Sequence, residues 1–185
     1  MNIDKFPEQK KRELLLSEQI SQHSVKTIIE SIFEINRDDQ EKEKIYKNWE
    51  RNPIKLFINS YGGSVYDGLA LIDVIKRSKT PVYTICIGSC MSMAFWIWLS
   101  GCKRLVGERS TLMFHDISIF AIGKTEGIKQ ELNEMLRLQQ ILVSEIVECS
   151  IIEEEKLQDY ITRKAEWYIS ASEAITLRLA DGYYK

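Results

Sequence analysis

A serine, a histidine and a glycine pair are the residues of this chain that could perform acyl chemistry together. Ser92 lies in Gly88-Ser89-Cys90-Met91-Ser92-Met93-Ala94, between the β-rich run Val82-Tyr83-Thr84-Ile85-Cys86-Ile87 and the apolar run Phe95-Trp96-Ile97-Trp98-Leu99. That pattern predicts a strand, a sharp turn and a helix. A serine at the helix start sits where free N–H groups and the helix dipole favour developing negative charge. A serine nucleophile at neutral pH needs a base, usually imidazole. The chain holds two histidines, His23 and His115. His115 ends a predicted strand and opens a loop, a good station for a functional side chain, whereas His23 precedes a helix and reads as a surface or capping residue. The Gly62-Gly63 turn could aim backbone N–H groups at a carbonyl oxygen without side-chain obstruction.

Each residue also has a plainer reading. Serines at helix starts are commonly caps, a lone histidine is commonly structural, and a glycine pair can be only a turn. Cys90 competes as nucleophile, but its apolar surroundings would raise the thiol pKa. The segment lacks the Gly-x-Ser-x-Gly elbow, which argues against an α/β-hydrolase.

The elements that must position these residues follow from periodicity. Glu13 to Leu16 reads as a short strand. Val25, Ile28, Ile29, Ile32 and Phe33 mark one face of a helix over 24–35. The charge run 37–51 reads as a solvated helix end or loop. Ile54 to Asn59 is a predicted strand, Ser60 to Ser64 a turn, and Val65 to Ile75 a helix. The stretch 82–99 repeats that strand–turn–helix plan. Two consecutive βα units imply an α/β fold with a largely parallel sheet and right-handed crossovers. Sites in such sheets form outside the carboxyl ends of strands, so both turns belong at one edge. Arg104 to Val106 and Thr111 to Phe114 read as strands, with an apolar run at 117–122. Thr125 to Cys149 is a long amphipathic helix, and Glu153 to Arg163 another. Trp167-Tyr168-Ile169 is short and apolar. Ser170-Ala171-Ser172-Glu173 has the form of a capping box, opening a last helix expected to end near Gly182. Asp116 should point away from His115, because neighbours alternate along an extended chain.

Composition narrows the class. The chain has 185 residues, 44% hydrophobic and 28% charged, which fits one globular domain over 1–185. A net charge of −2 gives no reason to invoke nucleic acid. The polar first twelve residues, frayed or a short helix, offer no signal-peptide apolar run, and Cys86, Cys90, Cys102 and Cys149 read as reduced, mostly buried thiols. The expected location is therefore cytoplasmic. The uncharged stretch 81–102 is long enough to span a bilayer, but Pro81, Gly88, Ser89, Ser92 and Gly101 fit strand, turn and buried helix better, so no membrane association is expected. No cofactor and no metal is called for.

The motifs also carry a resemblance. Ile58-Asn59-Ser60-Tyr61-Gly62-Gly63-Ser64-Val65 resembles the INSPGGSV motif of the Clp protease proteolytic subunit (ClpP) family. Gly88 to Met93 resembles its GQAASM serine motif, and Leu112-Met113-Phe114-His115 its V-M-I-H histidine motif. Ser170 to Ala174 is similar to SAPEA and Leu179-Ala180-Asp181 to GLVD, in matching order from about residue 12 to the end. The resemblance implies a ClpP/crotonase-like α/β fold of repeated βα units with a long handle helix. It implies a serine endopeptidase in which Ser92 attacks the scissile carbonyl, His115 relays the proton, and Gly63 and Met93 donate N–H groups to the oxyanion. The family's third residue is an aspartate four positions before the SAPEA serine. Here that position is Glu166, to which the orienting role falls. Polypeptide substrates, a homo-oligomer of two stacked seven-membered rings and an AAA+ Clp ATPase partner are implied as well.

Tyr61 for the motif proline, Met91 for an alanine, Ala94 for a glycine and Asp116-Ile117 for Gln-Pro depart from the pattern, and the short N-terminus is expected to lack the family's axial loop. Two other classes stay open. A catalytically inactive ClpP-like scaffold subunit is kept alive by Glu166. A crotonase-fold coenzyme A-handling enzyme would leave the Ser92–His115 pair unexplained.

Overall fold

Seven strands form one sheet, in which those read from the sequence are joined by a short C-terminal one. The computed structural model describes residues 11–118 and 122–185; the expectations for the N-terminal ten residues and the middle of the apolar run 117–122 fall outside them. In chain order the elements are β1 (Glu13–Leu16), α1 (Gln22–Ile45), β2 (Ile54–Ser60), α2 (Val65–Arg77), β3 (Val82–Met91), α3 (Met93–Leu99), β4 (Lys103–Val106), β5 (Thr111–Phe114), α4 (Thr125–Cys149), α5 (Glu154–Thr162), β6 (Trp167–Ser170), α6 (Ala171–Thr176) and β7 (Gly182–Tyr183).

The path β1-β2-β3-β4-β7 is parallel throughout. β3 is long enough to serve two neighbours. Its first half pairs β4, from Tyr83 opposite Lys103 to Cys86 opposite Val106. Its second half pairs β5, from Ser89 opposite Thr111 to Met91 opposite Met113. Gly88 stands at the branch with φ +86, and a Cβ there would lie 2.6 Å from Asn59 Oδ1, so only glycine fits. β6 then runs antiparallel to β5. The branch gathers the carboxyl ends of β2, β3 and β5 at one edge.

Burial explains the helix patterns. α1 turns Val25, Ile28, Ile32 and Ile35 to the sheet, and α2 turns Leu71, Ile72 and Ile75. All seven residues of α3 are buried, which is why that stretch is apolar on every side. With strand, turn and a seven-residue helix occupying 82–99, no helix among the described residues is long and apolar enough to cross a membrane.

The structure differs from the sequence reading in several places. The turn expected over Gly88–Ser92 is compressed onto Ser92, because β3 continues to Met91. The charge run is helix to Ile45, and not all of it is solvated: Asp39 and Lys42 are buried. The last helix stops at Thr176 rather than near Gly182, and a short strand, β7, follows. Of the four cysteines, Cys86 and Cys90 are buried, Cys149 is half-buried and Cys102 is exposed.

Candidate active site

Ser92 leaves the end of β3 with φ 50 and ψ −130, a conformation that costs a non-glycine residue about 1–3 kcal/mol. Two backbone bonds hold it there. Its N–H donates to Met113 O at 3.0 Å, and its carbonyl accepts from Phe95 N at 2.8 Å. Ser92 precedes α3 in the cap position, yet its side chain makes no cap hydrogen bond. The hydroxyl is therefore not consumed by the capping role that serines at helix starts usually serve.

Gly62 and Gly63 press against that turn for steric reasons. A Cβ on Gly62, at φ +102, would sit 2.7 Å from Ser92 Cβ and 3.1 Å from Met93 N. A Cβ on Gly63, at φ +150, would sit 2.3 Å from Ile20 O. Ile20 clamps this loop: its N–H donates to Gly62 O at 2.9 Å and its carbonyl accepts from Ser64 N at 2.9 Å. The bridge engages the groups on either side of Gly63, so the Gly63 N–H faces away from Ile20. The Met93 N–H opens α3, where the first turn leaves N–H groups without intrahelical acceptors.

His115 follows β5. The pairing of Met91 with Met113 makes Ser92 and His115 leave adjacent, parallel strand ends. A cleft of about 360 Å³ opens there, and Gly63, Ser92, Met93 and His115 all line it, with Trp96 and Leu142 in its apolar wall. α4 fixes that wall and the loop beside it. Trp96 Nε1 donates to Leu142 O at 3.0 Å, and Ile117 N donates to Gln139 Oε1 at 2.9 Å. Asp116 lines the cleft as well, contrary to the alternation argument. The strand ends at Phe114, so period-two geometry no longer governs the next residues.

Glu166 is placed less directly. β5 and β6 pair Phe114 with Trp167. His115 and Glu166 are the residues next beyond that last pair. Glu166 is nevertheless exposed and does not line the cleft; its Oε2 accepts the Tyr168 hydroxyl at 2.6 Å. Among the described residues, no hydrogen bond joins Ser92 to His115 or His115 to Glu166. Tyr168 was not singled out from the sequence. Its signal is positional, since it lies two residues beyond Glu166 in the chain. Cys90 drops out as the rival nucleophile: it is fully buried, and burial together with Cys86 pushes its thiol well above the ordinary cysteine range. His23 is exposed in the first turn of α1 and is not the cap, since Ser21 and Ser24 form the capping box.

A family model described as Clp protease matches residues 8–184. The ATP-dependent Clp protease proteolytic subunit 1 of Prochlorococcus marinus subsp. pastoris is 30% identical over 177 residues, covering 93% of this chain and 83% of that protein. The ATP-dependent Clp protease proteolytic subunit of Deinococcus radiodurans is 34% identical over 130 residues, covering 69% of this chain and 63% of that protein. The subunit of the same name from Borreliella afzelii is 28% identical over 177 residues, covering 93% and 82%.

Proposed function

Because the chain belongs to the Clp protease family, we propose that it is a serine endopeptidase whose nucleophile is Ser92. The Ser92 hydroxyl attacks the scissile carbonyl carbon. His115 takes the hydroxyl proton and delivers it to the departing amine, which leaves an acyl-enzyme that water, activated by the same imidazole, hydrolyses. The Gly63 and Met93 N–H groups stabilise the tetrahedral oxyanion. Glu166 orients the imidazole from across the β5–β6 pair. The observation that carries this reading is the single cleft lined by Gly63, Ser92, Met93 and His115. Unfolded polypeptides are the substrates. We further propose that the subunit works inside two stacked seven-membered rings, in the cytoplasm, supplied by an AAA+ Clp ATPase.

Fluorophosphonate labelling read by intact mass tests the chemistry. The assembled wild-type protein should gain one adduct, and Ser92→Ala none. An adduct that persists in Ser92→Ala would place the nucleophile elsewhere.

A second reading is favoured by one observation. Glu166 is exposed and bonded to Tyr168 rather than His115, which suits a scaffold subunit of a mixed ring. An assembled wild-type protein that never labels, even with a Clp ATPase present, would establish that reading. Membership of the Clp protease family sets the coenzyme A-handling alternative aside.

A further inference from the structure

The acid partner is the weakest part of the proposed triad in reach and order, and the structure places a second residue on it. Glutamate carries one more rotatable bond than aspartate, so an exposed glutamate has more freedom to lose before it can orient an imidazole. Glu166 immediately precedes β6, and Tyr168 is the second residue of that strand. The antiparallel register pairs Met113 with Tyr168 and Phe114 with Trp167, so His115 and Glu166 are the residues next beyond its last pair. Opposed side chains within such a ladder start about 4.5–5.5 Å apart at Cβ, which keeps the residues one step past its end within reach of each other. The Tyr168 hydroxyl donates to Glu166 Oε2 at 2.6 Å. Among the described residues nothing donates to Glu166 Oε1, so one carboxylate oxygen is held and the other is open.

We infer that Tyr168 is a positioning residue for the proposed reaction: it grips Glu166 Oε2 and holds the carboxylate so that Oε1 can accept the His115 imidazole N–H. This rests on the reading of Ser92, His115 and Glu166 as the triad. The hydrogen bond is charge-assisted, the strong kind. The carboxylate in turn raises the Tyr168 phenol above its ordinary range, through that bond and its charge, so the phenol stays a donor at working pH. Tyr168 is 53% exposed, and Tyr168→Phe removes only the hydroxyl, so the fold should tolerate it.

The test uses the assembled protein with 13C-labelled histidine, since the chain has two histidines and His115→Ala identifies the second resonance. Glu166→Gln should shift the His115 imidazole resonances, because the carboxylate that accepts its N–H is gone. Tyr168→Phe should shift them in the same direction by part of that amount. It should also slow phosphonate labelling of Ser92 about tenfold, the scale of losing a hydrogen bond to a charged group. In the Glu166→Gln background, Tyr168→Phe should add nothing to either readout.

A Tyr168→Phe protein with unmoved His115 resonances and unchanged labelling overturns the inference. So does one whose His115 resonances move opposite to those of Glu166→Gln and whose labelling is faster, which would mean that Tyr168 competes with His115 for the carboxylate. If Ser92 labels and Glu166→Gln moves His115 while Tyr168→Phe does neither, only the role of Tyr168 falls. If the wild type never labels and Glu166→Gln leaves His115 unmoved, the triad itself falls and takes this role with it.

Discussion

Gly62 has no room for a side chain, and the atoms that exclude one are those of the site. Its missing Cβ would lie 2.7 Å from Ser92 Cβ and 2.8 Å from Met91 O, at a φ of +102 that side chains rarely adopt. Gly62→Ala must therefore move either the loop that carries Gly63 or the turn that carries Ser92. Removal of one oxyanion donor typically costs 100-fold or more, so a displaced donor pair should slow phosphonate labelling by about 100-fold while circular dichroism stays that of the wild type. Labelling at the wild-type rate would show that the loop gives way without cost and that the close approach is incidental. At this scale the sequence was informative about residue types and poor about directions. Ser92, His115 and Gly63 could be picked out because few side chains suit acyl chemistry and each sat at a predicted turn. Asp116 was misdirected, because alternation was carried past the end of β5. The Tyr168–Glu166 bond is local, between residues two apart, but what brings this pair near His115 is strand pairing between segments more than fifty positions apart, which the sequence does not show.

At the scale of elements, the charge run after the apolar part of α1 has a structural purpose that its composition hides. Asp39 is fully buried. It accepts Arg12 NH1 at 2.9 Å and NH2 at 2.5 Å, Thr80 Oγ1 at 2.6 Å and Trp49 Nε1 at 3.0 Å. One carboxylate thus ties the start of β1, the extension of α1, the loop before β2 and the loop before β3. Burial alone would raise its pKa, but the bonds from Arg12, Thr80 and Trp49 outweigh that and hold it below the ordinary aspartate range. A depressed folded-state pKa means stability that is present above the unfolded value, near 3.9, and lost as pH falls through the folded value. Asp39→Asn should leave Arg12 buried without its counter-charge and cost about 3 kcal/mol at neutral pH. The wild-type advantage should shrink below about pH 4. Thermal midpoints at fixed protomer concentration check both points, and a gap between the two proteins that stays constant down to pH 2 would count against the staple. The same element shows why apolar periodicity undercounts helix. Beyond Ile35, α1 is held by Asp39 and by pairs such as Lys42–Asp38 and Lys44–Glu41, none of which carries a hydrophobic stripe. At the other end of the chain, the capping box of Ser170 and Glu173 marked where α6 begins. Its end was invisible, since it is set by Arg178 turning to φ 60 and not by a glycine or proline.

The whole molecule leaves one long helix half uncovered. α4 runs over Thr125–Cys149, the span that its amphipathic pattern predicts, but its buried residues, Leu138, Leu142, Val143 and Ile146, all belong to its second half. In the first half, Ile128, Leu132 and Leu136 follow at intervals of four, which puts them on one helical face, and Leu132 and Leu136 are 45% and 54% exposed. The pattern was legible because a stripe spaced for burial looks the same whether the covering surface belongs to the same chain or to another. What covers it was not legible, because periodicity carries no information about the partner. Within the proposed double ring, the matching surface is the same stripe on a subunit of the facing ring, as the family's handle helix implies. Leu132→Glu together with Leu136→Glu tests this, since both residues are exposed in the single chain and the core beneath the second half of α4 is untouched. The protomer should keep its circular dichroism spectrum, while sedimentation velocity should show single rings or smaller species where the proposed double ring is expected of the wild type. Labelling of Ser92 should fall with assembly, because the cleft wall contributed by Leu142 and the Gln139 bond to Ile117 lie on the same helix and would lose the constraint of its docked end. A double-charge variant that sediments as the wild type does would mean that the exposed stripe faces solvent or substrate, and that the rings, if formed, meet elsewhere.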